Sequence, residues 1–340
     1  MRLTWEPITL NLKTTFRIAH GASDQRHNVV VCLELGGVRG LGEAAAVPYY
    51  GETQAGISAY LAGIQDLFGE DPALIEDILE RLPPGSLAAR AGVDMALHDL
   101  WARQIGQPLY RLLGLNPARL PQTSFTIPLA EPGEAAERAR QSGCPILKIK
   151  LGGERDLETI AAIRAATGAR LRVDANAGWS REQALDLIPR LAEFDLELVE
   201  QPLAAEDPEG LRWLRAKLRA QKVHTPLFVD ESAQNSRQVA EQAGAADGVV
   251  IKLMKSGGIR EALRSIHTAR ALGMQVMLSC MVESSLGVTA AAHLAPLCDY
   301  LDLDGPLLIS NDPFQGLHYQ GATIGLPAGN GLGVERRSND

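Results

Sequence analysis

Polar residues recur where apolar runs stop, along the C-terminal two-thirds of this chain. The series comprises Lys148 and Lys150 in "ILKIK", Asp174 in "LRVD", Glu200 in "LELVE", Asp230 in "PLFVD", Lys252 in "GVVIK", and Asp302 and Asp304 in "DYLDLD". Its members return about once per 25 residues, close to the length of one strand-plus-helix unit. This pattern predicts a (β/α)8 barrel whose polar residues share one rim.

The alternation of strands and helices begins near residue 121. Strand candidates are residues 122–128, 146–151, 171–175, 197–201, 226–231, 247–253, 274–280 and 299–303. Amphipathic helix candidates between them include residues 155–167, 180–192, 207–220 and 257–272. Eight strands of this kind favour the barrel. The alternative is a doubly wound open sheet, but no GxGxxG opens the first unit, and an open sheet gathers ligands at one crevice.

Residues 1–117 have a different pattern. Three strand candidates, "LTWEPITLNLK", "NVVVCLEL" and "VRGLGEAA", precede helical segments, of which the clearest covers residues 88–104. Strands followed by helices are typical of an α+β domain. We therefore predict an α+β domain over residues 1–117, a barrel over residues 118–315, and a tail of residues 316–340 that returns to the first domain.

The composition narrows the location and the partners. A net charge of −8 argues against a nucleic-acid partner, because phosphate binding needs clustered Lys and Arg. The four cysteines form no CxxC pair and are typical of reduced thiols. No apolar stretch is long enough to cross a bilayer, and polar residues interrupt the N-terminal segment as they would not in a signal peptide. These features predict a soluble, cytoplasmic protein without a membrane partner.

Three carboxylates are predicted to be neighbours at the rim. Asp174, Glu200 and Asp230 end the third, fourth and fifth barrel strands. Adjacent carboxylates repel one another unless they share a cation. Hard oxygen ligands without nearby His or Cys indicate Mg²⁺, with Mn²⁺ as an alternative.

Two lysines are predicted to face each other across this group. Lys150 ends the second strand and Lys252 ends the sixth, four strands apart in a ring of eight. A substrate carboxylate on the metal would present its α-carbon to one lysine on each face. Lysine acts as a base near neutral pH only if its pKa falls, and Lys148, on the same side of the strand, could lower the pKa of Lys150. The metal would stabilise the enediolate formed when the α-proton leaves.

The motifs "KIK", "VDAN", "VEQP", "VDES", "IKLMKSGG", "SCMVESSLG" and "DLDGP" resemble those of the muconate-lactonizing subgroup of the enolase superfamily. The resemblance implies an N-terminal capping domain over a modified (β/α)8 barrel, and one Mg²⁺ per subunit on Asp174, Glu200 and Asp230. It implies that Lys150 and Lys252 are the base pair, the chemistry for which this superfamily is a known example. Glu231 would support the metal ligands. The substrate contacts that it implies are Thr126, Lys148, Cys280, Met281 and Val282.

Asp302 and Asp304 discriminate between reactions within the subgroup. Strand alternation places both carboxylates on one side of the eighth strand, where they could bind an ammonium group at a fixed distance from the metal. A dipeptide meets that requirement, and the pair resembles the "DxD" motif of the dipeptide epimerases, typified by the L-Ala-D/L-Glu epimerases. The predicted activity is an isomerase that transfers a proton at the α-carbon of the C-terminal residue.

Other functions stay open from the sequence. o-Succinylbenzoate synthase, N-acylamino-acid racemase and muconate cycloisomerase use the same lysines and metal ligands, but their substrates carry no ammonium for the two aspartates. A non-catalytic metal-binding barrel is an alternative of another class. Related barrels often form symmetric assemblies, so a homo-oligomer is compatible with the sequence.

The identity of the dipeptide depends on two predicted loops. In L-Ala-D/L-Glu epimerases a basic residue in the first loop, residues 16–28 here, pairs with the glutamate side chain. Alignment places Gly21 at that position, with His20 beside it and Arg26 further on. Residues 47–53, "VPYYGET", are predicted to form a second lid loop whose tyrosines favour an apolar or small side chain. The sequence thus leaves the substrate's side chain open.

Overall fold

A three-stranded antiparallel sheet begins the chain in the computed structural model, which describes residues 1–18 and 21–338. Its strands are β1 (Arg2–Ile18), β2 (Gly21–Leu35) and β3 (Val38–Ala44). The predicted loop of residues 16–28 is largely strand, because Phe16 pairs with Ser23 and Ile18 with Gly21 beyond an irregularity between Asn11 and Phe16. His20 lies outside the described residues. The hairpin therefore extends well past the apolar run from which β2 was predicted.

Helices follow this sheet along the chain, and the first and third of them pack against it. They are α1 (Gln54–Gly63), α2 (Ile75–Arg81), α3 (Leu87–Ile105) and α4 (Leu109–Leu112). Ser86 caps α3 by accepting a hydrogen bond from the Ala89 amide, and Gly106 ends it in the left-handed conformation. The helix lies so close to β3 that a Cβ at Gly42 would stand 2.0 Å from the Gly92 carbonyl oxygen. Glycine in "RGLGEA" thus permits the close contact between sheet and helix.

Eight parallel strands follow and form the barrel. They are β4 (Phe125–Ile127), β5 (Ile146–Lys150), β6 (Arg170–Asp174), β7 (Leu196–Glu200), β8 (Leu227–Val229), β9 (Gly248–Ile251), β10 (Gln275–Ser279) and β11 (Tyr300–Asp302). They are paired in chain order, and a parallel bridge between Thr123 and Leu301 brings the first and last strands together. The predicted barrel is confirmed, and the open-sheet alternative is wrong because its strand order would reverse at a switch point.

Helices follow the barrel strands along the chain. They are α5 (Pro132–Ser142), α6 (Asp156–Ala166), α7 (Arg181–Ala192), α8 (Pro208–Ala220), α9 (Ser236–Glu241), α10 (Leu253–Ser256), α11 (Ile259–Ala271), α12 (Ser285–Ala292) and α13 (Gly305–Leu308). The four helices predicted from amphipathic spacing correspond to α6, α7, α8 and α11. Inside the barrel, away from the rim, Leu198, Phe228, Val250 and Met277 form an apolar layer. The interior below the rim is therefore packed mainly by apolar side chains, although the buried Arg172 of β6 crosses it and donates to the Leu301 carbonyl of β11.

The C-terminal segment adds four short strands, β12 (Phe314–Gln315), β13 (His318–Gln320), β14 (Thr323–Gly325) and β15 (Glu335–Arg336). The Leu332 amide donates to Asp99 of α3, and Arg103 of the same helix donates to the Val334 carbonyl. The tail thus contacts the N-terminal domain, while the domain boundaries at residues 117 and 315 stay predictions. Among the described residues, none of the helices is both long and apolar enough to cross a bilayer.

Candidate active site

The ends of β5 to β9 bring the predicted metal ligands and lysines to one rim. Asp174 is the last residue of β6, Glu200 is the last of β7, and Asp230 directly follows β8. The three carboxylates are 0% exposed. Lys150 ends β5 and Lys252 follows β9, so the two lysines flank the acids from opposite sides of the ring.

Strained connections hold these acids in register. Asn176 and Gln201, just past the ends of β6 and β7, have φ values of 44° and 36°. The Asn176 amide donates to Asp174 Oδ1 at 2.9 Å, and Gln201 Oε1 accepts from the Asp230 amide at 2.8 Å. Left-handed backbone at non-glycine residues is costly and clusters at functional sites. Here it turns each connection back over a rim carboxylate.

Four lysine ammonium groups neutralise the acids. Lys150 Nζ lies 2.6 Å from Asp174 Oδ2, while Lys252 and Lys255 both contact the Asp230 carboxylate. Lys148 Nζ lies 3.1 Å from Asp174, 2.8 Å from Glu200 and 3.0 Å from Asp302. Lys148 therefore joins the acid trio to the DxD pair.

These contacts set the ionisation of the group. Burial opposes charge on Asp174 and Asp230, but Lys150 and Lys252 respectively outweigh it and hold both pKa values below their ordinary value. Burial and the charge of Asp174 raise the pKa of Glu200. Burial favours neutral Lys252, yet the charge of Asp230 raises the pKa of that lysine above its ordinary value. The lowered pKa that a lysine base requires is thus not found at Lys252, because its nearest neighbour is an anion.

Several buried oxygens here suit a hard cation. Among the residues that the structure describes, none donates a hydrogen bond to Glu231 Oε2, Asn176 Oδ1 or Glu200 Oε2, although the last lies 2.8 Å from the Lys148 ammonium. In the described part of the chain, no three His, Cys, Asp or Glu side chains stand arranged as a metal-binding group. The donor chemistry nevertheless fits Mg²⁺, because the oxygens are carboxylate or amide and desolvated. A cation here would share the carboxylates now held by the lysines.

The DxD pair lies at the other end of the cavity, with unequal environments. Asp302 accepts hydrogen bonds from Ser124 Oγ at 2.7 Å, Ser279 Oγ at 2.9 Å and Lys148 Nζ at 3.0 Å. Asp304 Oδ2 accepts from the Thr126 amide at 2.6 Å. Burial and the charge of Asp302 raise the pKa of Asp304 to about 7. Asp304 is therefore the carboxylate better able to accept a cationic group from outside.

The segment after β10 forms another wall of the cavity. Cys280, Met281 and Val282 line it together with Thr126, Lys148, Lys150 and Lys252. Two backbone groups of this segment already have partners, since the Met281 amide donates to Glu283 and the Val282 carbonyl accepts from Asn28. Burial, followed by the charge of Glu283, raises the pKa of the Cys280 thiol, which agrees with a wall residue rather than a nucleophile.

Sequence reasoning did not find several residues of the site. Lys255 lies three residues after Lys252, and this spacing on α10 was a signal for a second cation beside Asp230. Ser124 and Ser279 carried no signal, because their contacts to Asp302 come from other strands. The cavity is also lined by Phe16, Ile18, Arg26, Val47, Tyr49, Tyr50, Asn176, Glu231 and Leu308. Val47, Tyr49 and Tyr50 of the predicted second loop thus lie in the cavity wall, and their role as a lid stays a prediction.

Family models match both parts of the chain. Residues 5–114 match the mandelate racemase / muconate lactonizing enzyme N-terminal domain, and residues 132–339 match the enolase C-terminal domain-like family. Together the two matches span most of the sequence. The predicted membership of the enolase superfamily is confirmed.

Individual relatives cover nearly the whole chain. An L-Ala-D/L-Glu epimerase of Bacteroides thetaiotaomicron is 40% identical over 98% of this chain and 88% of its own. A hydrophobic dipeptide epimerase of Roseobacter litoralis is 39% identical over 96% of each chain. The crystal structure of a dipeptide epimerase from Cytophaga hutchinsonii, complexed with Mg and D-Ala-L-Val, has a TM-score of 0.92 and 32% identity, covering 100% of this chain and 97% of that one.

Proposed function

The chain belongs to the mandelate racemase / muconate lactonizing enzyme family, with an enolase-like C-terminal domain, and we propose that it is a Mg²⁺-dependent dipeptide epimerase. The observation that carries this proposal is the arrangement of the cavity. Two lysines flank a buried acid trio, and a second acid pair lies on the far side of Lys148. A dipeptide has a carboxylate at one end and an ammonium group at the other, which matches both ends of the cavity.

Lys150 and Lys252 would act on opposite faces of the α-carbon of the C-terminal residue. One lysine removes the α-proton in its neutral form, and the other, as an ammonium group, returns a proton from the opposite face. The configuration inverts because the proton leaves one face and arrives on the other. Their positions four strands apart support this division, as do their ion pairs with Asp174 and Asp230, which give each ammonium group a fixed position.

Mg²⁺ would be held by Asp174, Glu200 and Asp230. Glu231 and Asn176 would lie beside these ligands and help to keep them in place. When bound, the ion would stabilise the negative charge that grows on the substrate carboxylate as the α-proton is lost. The protein's own part is to keep these oxygens dry and fixed. Replacement of Mg²⁺ by Mn²⁺ belongs to this proposal, since the donors are hard oxygens.

Asp304, aided by Asp302, would bind the ammonium group of the dipeptide. Asp304 has the Thr126 amide as a donor, whereas Asp302 is occupied by Ser124, Ser279 and Lys148. The shared contact of Lys148 with Asp302 and Glu200 would set the distance between the two ends of the substrate. This requirement disfavours N-acylated substrates and muconate, which offer no ammonium.

Arg26 would select the side chain of the epimerised residue. It lines the cavity, and in the described part of the chain it forms no ion pair; its guanidinium donates to the carbonyl of Gln25 beside it. Burial lowers its pKa, so an incoming carboxylate would relieve that cost. We propose that Arg26 takes the role of the basic residue missing at Gly21, which favours an acidic side chain.

The test is proton NMR in D₂O with a library of L-Ala-L-X dipeptides, with Mg²⁺ and after chelation. With Mg²⁺ present, the protein should remove the α-proton signal of residue X and produce the epimer. After chelation, neither change is expected. Absence of exchange in every dipeptide would overturn the proposal. Equal turnover of free and N-acetylated dipeptides would instead favour an N-acylamino-acid racemase.

A further inference from the structure

Two buried acids that the proposed chemistry does not use lie between the N-terminal domain and the barrel. Glu43 is in β3 and is 0% exposed, whereas Glu283 follows β10 and is 2% exposed. A side-chain carbon placed on Gly287 would stand 2.3 Å from Glu283 Oε2 and 3.2 Å from Glu43 Oε2. The two carboxyl groups therefore converge on one glycine, and no larger residue fits between them.

Glu43 has the donors that an ionised carboxylate needs. Its oxygens accept hydrogen bonds from the Asn28 amide group at 2.7 Å, the Ser284 amide at 3.0 Å, the Ser284 hydroxyl and the Gly287 amide at 3.1 Å. Asn28 also donates to the Val282 carbonyl. Glu43 and Asn28 thus connect the N-terminal sheet to the wall of the substrate cavity.

Glu283 holds that wall from the barrel side. Its Oε1 accepts from the Met281 amide at 2.7 Å, and Met281 lines the cavity. The charged and titratable groups that act on it are Glu43 from β3, the Lys252 ammonium after β9 and the Cys280 thiol. Lys252 is already paired with Asp230, so among the described residues no cation forms an ion pair with Glu283, which faces the Glu43 carboxylate.

The two acids differ in ionisation. Burial, followed by the charge of Glu43, raises the pKa of Glu283 to about 8. Burial also raises the pKa of Glu43, but its four donors favour the charged form. Near neutral pH one proton therefore resides on Glu283. A neutral carboxyl beside a buried carboxylate is not repelled by it, whereas two neighbouring carboxylates repel each other.

We propose that protonated Glu283 is a positioning residue that fixes residues 280–282 against the N-terminal domain, and that its ionisation beside Glu43 releases this wall from the substrate. The inference rests on the proposed epimerase function for its catalytic readout. While the wall is fixed, Glu283 keeps its proton because burial raises its pKa. Once the wall is released, the Glu283 carboxyl is hydrated and loses the proton more readily. Rising pH through about 8 therefore favours release.

The catalytic test compares Glu283→Gln, Glu283→Ala and the wild type from pH 6.5 to 9.5. Glutamine keeps an acceptor for the Met281 amide and cannot ionise, so its kcat/KM at pH 7 should stay within about threefold of wild type, whereas alanine should lose about tenfold, mainly through KM. The ratio of wild-type to Gln-variant kcat/KM should fall about tenfold from pH 7 to pH 9.5. Glu193→Gln, at an exposed position, controls for a general effect of charge.

A ratio that stays constant across this pH range would overturn the positioning role, because a merely structural glutamate gives the same defect at every pH. Hydrogen exchange of the Met281 amide supplies a readout that needs no substrate. Its protection factor should fall in the wild type as the pH rises from 7 through about 8, level off above that, and stay constant in the Gln variant. If protection behaves so while no dipeptide is turned over, the proposed function fails and the positioning role stands. Unchanged wild-type protection would overturn the role whatever the activity.

Discussion

The two acidic ends of the cavity compensate their charge in different ways. At one end, Asp174 and Asp230 are paired directly with ammonium groups of Lys150, Lys252 and Lys255. At the other end, hydroxyl and amide donors satisfy most of the carboxylate oxygens, and a single lysine, Lys148, contacts Asp302. Both ends are buried, so the difference is not one of exposure.

The difference indicates which kind of cation each end of the cavity can bind. Asp174 and Asp230, whose pKa values the neighbouring ammonium groups hold low, can pass to a metal ion without a change of protonation. Asp304 has a pKa raised to about 7 by burial and by Asp302, and it gains most from a cation supplied by the substrate. The first end is thus suited to a resident metal, and the second to a ligand that comes and goes.

The largest expected loss of activity comes from the two lysines that flank Asp174 and Asp230. Replacing Lys150 or Lys252 with Ala removes one of the two proton-transfer groups, so epimerisation should fall by about 10²- to 10⁴-fold. Each variant should lose α-proton exchange with one epimer more than with the other, because each lysine faces one side of the α-carbon. NMR in D₂O with both epimers measures this. Lys217→Ala, at an exposed position on α8, is the control. Equal loss with both epimers would contradict the two-face assignment.

The next largest loss of activity is expected at Asp304, which is proposed to bind the ammonium group of the dipeptide. Asp304→Asn removes the charge but keeps the shape, and a hydrogen bond to a charged group contributes about 1.5–3 kcal/mol, so kcat/KM for a free dipeptide should fall by about 10- to 150-fold. The wild-type KM should also fall as the pH rises through about 7, because Asp304 must be ionised to bind ammonium. That dependence should disappear in the variant. The N-acetyl dipeptide is the matched substrate, and a similar loss with it would refute the assignment.

A smaller and selective effect is expected between the two ends, at Arg26. Arg26→Met retains the apolar stem and removes the cation, so kcat/KM for L-Ala-L-Glu should fall by about tenfold through the lost charged hydrogen bond. Turnover of L-Ala-L-Leu should change by less than about threefold. Steady-state kinetics with both substrates measure the ratio. An equal fall in kcat/KM for both substrates would show that Arg26 shapes the cavity but does not select the side chain of the substrate.

The smallest effect tests how Asp302 is held. Ser124→Ala removes one of its donors while Ser279 and Lys148 remain, so the loss of about 1 kcal/mol should raise the dipeptide KM by about fivefold with kcat nearly constant. Thermal unfolding of the variant checks that the fold is unchanged. A large fall in kcat would mean that Asp302 acts on the lysine end through Lys148, and the two ends would then not be separate.

The barrel and its polar rim could be predicted because both are local patterns. An apolar run of four or five residues followed by an acid or a lysine identifies a strand end, and parallel strands bring all such ends to one edge. The contacts made there could not be predicted. Lys255 reaches Asp230 only because α10 turns directly after Lys252, and Ser124 meets Asp302 only where the barrel closes. The predicted loop of residues 16–28 was wrong, since strand pairing between β1 and β2 continues through polar residues.

The sequence by itself determined the fold class, the strand-end acids and lysines, and the DxD pair, because side-chain alternation and chain order decide which residues share a rim. Only the tertiary structure decided how those charges are compensated. Burial makes each pKa depend on its nearest partner, and those partners come from distant parts of the chain. Glu43 meets the Ser284 amide from 241 residues away, and the unequal environments of Asp302 and Asp304 arise from β4 and β10. Contacts between residues so far apart in the chain produce no periodic pattern in the sequence. The ionisation of the polar strand-end residues therefore follows only from the packing of the barrel.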